Sequence, residues 1–265
     1  MLEMLFQKYN FDGVIHFAGL KSVGESTKHI SQYQENNVSG SILLFSIMER
    51  YGVRKIIFSS SATVYRSDNI SPLTESMPVG TTNPYGTSKL VIEKLLEDYA
   101  MHAGWSIVNL RYFNPIGAHP SGYIGEIPNG VPNNLLPYIL DVAVGKREMV
   151  TVYGNDYDTP DGTGVRDYID VNDLIDAHVL TYETLSIGCT LYNVGTGKGR
   201  SVLEMIHAVE QVSGKNIPYA VGSRRSGDLA SVFASVEKIH TEKGWYATRT
   251  LEESVESAWN FISHL

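Results

Sequence analysis

Three short apolar runs constrain what this 265-residue chain can fold into more than any other feature of its sequence. They are Gly13-Val14-Ile15-His16-Phe17, Lys55-Ile56-Ile57-Phe58-Ser59-Ser60-Ser61 and Ser106-Ile107-Val108-Asn109-Leu110-Arg111-Tyr112. Each has the continuous, β-branched character of a strand buried on both faces. Helical periodicity fills the gaps. Val38, Ile42, Phe45 and Met48 share one face of a helix expected over Ser31 to Tyr51, which Gly52 ends. A second helix opens at Asn83-Pro84 and runs through Leu90, Leu95 and Tyr99 to Gly104. Strand, helix, strand, helix, strand with short connections predicts an α/β fold, a parallel sheet with helices on both faces. Ligands collect beyond the carboxyl ends of such strands, here Phe17-Ala18-Gly19, Ser59 to Thr63 and Tyr112-Phe113-Asn114.

The first residues, Leu2 to Tyr9, read as the end of a helix. After residue 113 the composition shifts to a Gly/Pro/Asn-rich loop reaching Asn134. Beyond it the pattern predicts helices over Leu135–Val144, from an Asn172 cap to Leu185, and over 202–213, 235–243 and 251–264. Strands are expected at Met149–Tyr153, Val165–Val171 and Leu191–Val194. The chain thus divides into residues 1–112, joined by parts of 150–195, and a smaller α+β region over 113–265. The formal charge of −8 leaves no basic footprint, which argues against a nucleic-acid partner. The single Cys189 excludes an intrachain disulfide and suits a reducing compartment. No apolar run approaches the ~18 residues of a membrane span, and Met1 to Phe6 lack a signal-peptide pattern. The expectation is a cytoplasmic protein without a membrane partner.

The chemistry is expected at Tyr85 and Lys89, four apart on one helix face. A lysine ammonium beside a phenol favours the phenolate, so Tyr85 becomes a candidate base. Chance produces such spacings, and Tyr51 with Lys55 is a second one. Only Tyr85 opens a helix just after a strand that ends in hydroxyls, so Ser61 or Thr63 can join it. Together these groups suit proton transfer at an alcohol carbon, with hydride passing to a bound nicotinamide. Spacing alone fits a serine-rich strand end and an exposed helix pair equally well. Arg166, Arg224, Arg225 and Asp228 are candidates for phosphate and sugar hydroxyls, against a reading as solvated surface charge. Gly195-Thr196-Gly197-Lys198-Gly199 meets no phosphate-loop pattern, and Pro160 breaks a calcium-loop reading of Asp156, Asp158 and Asp161. Asp173 and Asp176 suit a helix first turn better than a metal site, and His16 reads as a strand-packing histidine.

Longer stretches carry a resemblance: VIHFAGLK (14–21) with VGES (23–26), NNV (36–38), FSSSATVY (58–65), PYGTSK (84–89), RYFNPIGAHPSG (111–122), PNNL (132–135), YGNDYDTPDGTGVRDYI (153–169) and RRSGDL (224–229). In this order they resemble the nucleotide-sugar epimerases of the extended short-chain dehydrogenase/reductase family. The resemblance implies a Rossmann-like fold and an isomerase of galactose metabolism. It would interconvert UDP-galactose and UDP-glucose through a 4-keto intermediate with tightly bound NAD. It also implies that Phe17, Ala18, Gly19, Leu20, Lys21, Asn36 and Phe113 line the NAD site. Tyr85 would be the base, Lys89 would bond the nicotinamide ribose and Ser61 would assist at the sugar oxygen. Asn114, Asn134, Leu135, Tyr153, Arg166, Arg225 and Asp228 would hold the UDP-sugar, and a homodimer would form through helices around 38–50 and 90–102. No Asp-Glu pair follows Ser61, which favours an epimerase over a 4,6-dehydratase.

Several positions depart from the family's pattern. Val232 is small at the expected wall of the hexose pocket, which predicts tolerance of N-acetylhexosamine nucleotides. Ala230 and Ser235 replace a usual Pro and Asp, and Arg66 replaces a glycine. The family opens with a strand, a glycine-rich turn and a helix that holds the NAD pyrophosphate. Nothing of that kind is legible before Leu2, so the sequence is read as entering the family's fold after that segment. A non-catalytic homologue, binding UDP-sugars at most, is the alternative reading.

Overall fold

The computed structural model describes residues 1–225 and 227–265. In chain order the elements are α1 (Leu2–Lys8), β1 (Val14–His16), α2 (Val23–Ser26), α3 (Ile30–Tyr33), a π-helical stretch (Gln34–Ser39), α4 (Gly40–Arg50) and β2 (Lys55–Ser61). There follow α5 (Pro84–Ala103), β3 (Ser106–Tyr112), β4 (Asn114–Ile116), α6 (Leu135–Ala143), β5 (Val150–Tyr153), β6 (Val165–Asp170), α7 (Val171–Glu183) and β7 (Gly188–Val194). The chain ends with β8 (Gly199–Ser201), α8 (Val202–Ser213), β9 (Tyr219–Gly222), β10 (Ser231–Val232), α9 (Glu237–Lys243) and α10 (Leu251–Ser263). They group into two compact units. The first comprises residues 1–69, 75–112 and 177–193, the second residues 70–74, 113–176 and 194–265.

The first unit is built on the sheet β1-β2-β3-β7, in which β1 pairs with β2 and β2 with β3 in parallel. Alternation along β2 assigns its two faces. Ile56 and Phe58 join Phe45, Met48, Ile92, Leu96 and Trp105 in one core with α4 and α5. On the other face the Ser59 hydroxyl meets the His178 ring of α7 at 3.0 Å. A strand covered on both sides has no solvent-facing side, which is why Ile56-Ile57-Phe58 reads as continuously apolar and why the buried Ser59 and Ser60 hydroxyls are each hydrogen-bonded. α5 forms as its ends predict: the Asn83 side chain accepts from the Gly86 N–H at 2.8 Å, and Gly104 stops it in the left-handed conformation (φ 67°).

The second unit holds the sheet β10-β6-β4 with β8 antiparallel to β6, and the pair β5-β9. Its core includes Leu136, Ile139, Leu140, Val150, Val152, Tyr168, Met205, Ile206, Val209 and Val255. Among the described residues no helix is long and apolar enough to cross a membrane.

The helix expected over Ser31 to Tyr51 begins at Ile30 but widens to π geometry over Gln34–Ser39 before α4 resumes. β4 forms inside the stretch expected as loop, because Asn114 to Ile116 find partners on β6. Asn172 is not the cap of α7: the Asp170 carboxylate accepts the Asn172 N–H at 2.7 Å. Asp173 does lie in the first turn of α7, but it is buried and binds Thr248 and Arg249 of the segment before α10.

Candidate active site

In the first unit Tyr85, Lys89 and Glu93 occupy successive turns of α5, and all three are buried against the sheet. Gly86 permits this approach: a Cβ there would lie 2.7 Å from the Thr63 carbonyl oxygen. Beside the Tyr85 phenol stands Ser61, which acts to lower the phenol's pKa and whose hydroxyl accepts from the N–H and the hydroxyl of Thr63, at 3.2 and 3.0 Å. Ser61 and Thr63, weighed as alternatives from sequence, are therefore coupled. Lys89 Nζ donates to the Ser59 carbonyl at 2.8 Å and stands 4.9 Å from the Phe58 ring centroid and 5.9 Å from that of Tyr85.

Burial governs the charge of these groups. It pushes the Tyr85 phenol above its ordinary range, opposed by the Ser61 hydroxyl, so the chain alone does not bring this phenol toward neutrality as expected. Burial also pushes the Lys89 ammonium down to about 8, while the Glu93 carboxylate acts to raise it. His16 is held down to about 4 by burial and by the charge of Lys89, and its ring bonds the Ser41 hydroxyl at 2.8 Å.

Beyond β1 the chain crosses the same edge. Phe17 is half exposed, its ring 4.6 Å from that of His178. Ala18, Gly19 and Lys21 are exposed, and a Cβ on Gly19 would come within 3.3 Å of Asn37 Oδ1 and 3.7 Å of Lys89 Nζ. Leu20 is pinned at both backbone groups. Its N–H donates to Asn37 Oδ1 at 2.8 Å, and its carbonyl accepts from Asn37 Nδ2 at 3.0 Å, which also reaches the Ser88 hydroxyl. Asn36 is exposed and only bonds its neighbour Asn37. The signal that picks out Asn37 is helical period: Tyr33, Asn37, Ser41 and Phe45 form one fully buried stripe. Glu93 carries the same kind of signal, a carboxylate four residues beyond Lys89 on the stripe of Tyr85.

In the second unit four expected residues meet. The Arg225 guanidinium lies 4.8 Å from the Tyr153 ring centroid and pairs with Asp228 at 2.8 Å. Arg166 approaches Asp228 at 3.9 Å and donates to the Leu229 carbonyl. The charges of Arg166 and Arg225 are both felt at Tyr168, whose phenol burial pushes up to about 12. Asn114 sits opposite Tyr168 across β4 and β6, and Asn134 and Leu135 open α6. Phe113 is buried, its N–H donating to the Val194 carbonyl. Arg224 turns elsewhere, pairing with Asp156 over the Tyr157 ring. Ser226 of the RRSGDL stretch lies outside the described residues.

A UDP-glucose 4-epimerase of Yersinia enterocolitica is 55% identical over 262 residues, covering 98% of this chain and 78% of that protein. The crystal structure of UDP-glucose 4-epimerase from Bifidobacterium longum in complex with NAD+ and UDP superposes with a TM-score of 0.95 at 50% identity, over 99% of this chain and 79% of that one. The UDP-Glc/GlcNAc 4-epimerase of Campylobacter jejuni is similar at a TM-score of 0.85 and 32% identity, over all of this chain and 81% of that one. Residues 1–195 match the family model described as the NAD dependent epimerase/dehydratase family. With that match and a relative of this identity, the chain belongs to the NAD dependent epimerase/dehydratase family.

Proposed function

We propose that this chain is a UDP-glucose 4-epimerase, interconverting UDP-galactose and UDP-glucose. The observation that carries the reading is the buried Tyr85, Ser61 and Lys89 group at the carboxyl end of β2. The cradle beside it fits NAD: Gly19 leaves open a space in which a Cβ would press on Asn37 Oδ1, 3.3 Å away, and Lys89 has N–H groups beyond the one given to Ser59. In this reading Phe17, Ala18, Gly19, Leu20, Lys21, Asn36 and Phe113 line the cofactor. Bound NAD supplies a hydride acceptor that takes hydride from C4′ and returns it to the opposite face of the 4-keto sugar.

The chain's own residues move the proton. Tyr85 takes it from the 4′-hydroxyl as hydride leaves and gives it back on return, while Ser61 holds the same oxygen. Arg166 and Arg225 bind the diphosphate, Asp228 and Asn114 take hydroxyls, Tyr153 packs on the base, and Asn134 and Leu135 also hold the nucleotide-sugar. The first unit is thus the cofactor-binding region and the second the nucleotide-sugar region. Half-buried Val232 on β10 supports acceptance of N-acetylhexosamine nucleotides, and so does the likeness to the Campylobacter jejuni UDP-Glc/GlcNAc 4-epimerase. Exposed Ile42, Leu43 and Val91 on α4 and α5 support a homodimer, and the lone Cys189 supports a cytoplasmic location.

The test is to purify the chain, release and quantify bound NAD, and assay UDP-galactose conversion. Tyr85→Phe is expected to lose about 10²–10⁴-fold in turnover while keeping its fold and NAD content. A wild-type chain with neither NAD nor turnover would return the non-catalytic reading. Negligible UDP-GlcNAc turnover by an active chain would remove the wider specificity.

A further inference from the structure

We propose that Glu93 is a positioning residue of this site: held by Ser60 and Arg111, its carboxylate keeps the Lys89 ammonium charged beside Tyr85. The inference deepens the epimerase reading and rests on it for its meaning, though not for its measurement.

Ser60 on β2 and Arg111 on β3 are paired directly across the sheet. Both point to the α5 face and both converge on Glu93. The Ser60 hydroxyl donates to Glu93 Oε1 at 2.5 Å, and Arg111 donates through Nε at 2.9 Å and Nη2 at 2.6 Å. Glu93 is 1% exposed and Arg111 4%. One turn earlier on α5, Lys89 donates to the carbonyl of Ser59, the β2 residue adjacent to Ser60. Lys89 and Glu93 are therefore fastened to consecutive residues of one strand.

Behind Arg111 the frame continues. Its guanidinium lies 4.7 Å from the Tyr65 ring centroid, Tyr65 donates to Asn193 Oδ1 at 2.6 Å, and the Asn193 N–H donates to Glu75 at 2.8 Å. A buried ion pair is weak evidence for stability, because desolvation of both ions offsets their attraction. Its position one turn from a buried ammonium gives it a different use. A lysine taken out of water sheds its proton unless a negative charge stands near, and Glu93 is the carboxylate whose field acts on it.

The remaining titratable groups on elements packed against α5 do not serve. His16 of β1 is driven neutral, and Tyr112 of β3 is pushed up by burial. Glu25 of α2 is engaged by the Tyr33 hydroxyl of α3, and Glu35 of the π-helical stretch is exposed. His178 of α7 lies across the sheet, on Ser59 Oγ.

The test follows the Lys89 Cε signal by NMR in the intact chain labelled with ¹³C-lysine, assigned by its loss in Lys89→Met. The wild-type titration midpoint is expected near 8. Glu93→Gln is expected to lower it by about one pH unit or more, and Glu93→Asp to retain most of it. Leu96→Ala opens a cavity in the same helix face without touching a charge, and is expected to leave the midpoint in place. In the conversion assay only Glu93→Gln should move the alkaline limb to lower pH. A wild-type midpoint below 7 overturns the proposal with no variant needed. So does an unmoved midpoint in Glu93→Gln, or an equal shift in Leu96→Ala. A shifted midpoint in a chain without turnover would count against the epimerase reading and leave the positioning role standing.

Discussion

Asn37→Asp tests whether the segment after β1 is held by one buried amide. The wild-type side chain is 2% exposed, accepts from the Leu20 N–H and donates to the Leu20 carbonyl and the Ser88 hydroxyl. Aspartate keeps the shape and the acceptor but turns both donated bonds into contacts between oxygens. Two lost bonds at about 1 kcal/mol each, plus the desolvation of a carboxylate facing the Leu20 carbonyl, give a loss of about 2–4 kcal/mol. For a chain of this size that lowers Tm by roughly 4–16 °C. Thermal unfolding by circular dichroism reads it, with NAD content measured in parallel and expected to fall. Protonating the buried aspartate restores a donor, so the deficit relative to wild type should shrink as pH is lowered. An Asn37→Asp chain melting within about 1 °C of wild type at pH 8, with full NAD content, would refute the two-point pin.

Two further expectations concern binding and pH. Arg225→Ala removes the cation over Tyr153 and the partner of Asp228. It should raise KM for UDP-galactose about 10- to 100-fold with kcat within about threefold, and leave Tm within ~1 °C because exposed pairs contribute little. His16 has its folded value depressed to about 4 from an ordinary 6.5, so the unfolded chain binds the extra proton between those values. Its contribution is present above about pH 6.5 and is lost as pH falls toward 4. The loss is on the order of 3 kcal/mol. Denaturant melts of wild type against His16→Gln across that window should converge as pH falls, and parallel curves would reject the assignment.

Much of the first unit was legible from residues alone. β2 and β3 are covered on both faces, so local apolar character sufficed to mark them; β1 leaves Ile15 exposed and was marked by its β-branched run alone; the Asn83-Pro84 start and Gly104 stop of α5 are local backbone chemistry. β4, β8, β9 and β10 were not legible: each is two to four residues long, lacks the buried apolar run that marks a strand locally, and takes its extended form from the strand it pairs with. The partners of β4 lie more than fifty residues away in the chain.

At the site the division follows the same line. The sequence by itself determined which groups are present and their order along α5, since Tyr85, Lys89 and Glu93 share a face by helical period. Tertiary structure decided which charges matter. Burial, which no single residue encodes, pushes Lys89 down and Tyr85 up. The pairing of Ser60 with Arg111 across two strands selects Glu93 as the carboxylate that answers them. Asn37 pins Leu20 for the same reason: adjacent asparagines look alike in a sequence, and only the packed helix turns one inward. Local interactions specify elements; desolvation and cross-strand register are properties of the assembled sheet, and these set the chemistry at its edge.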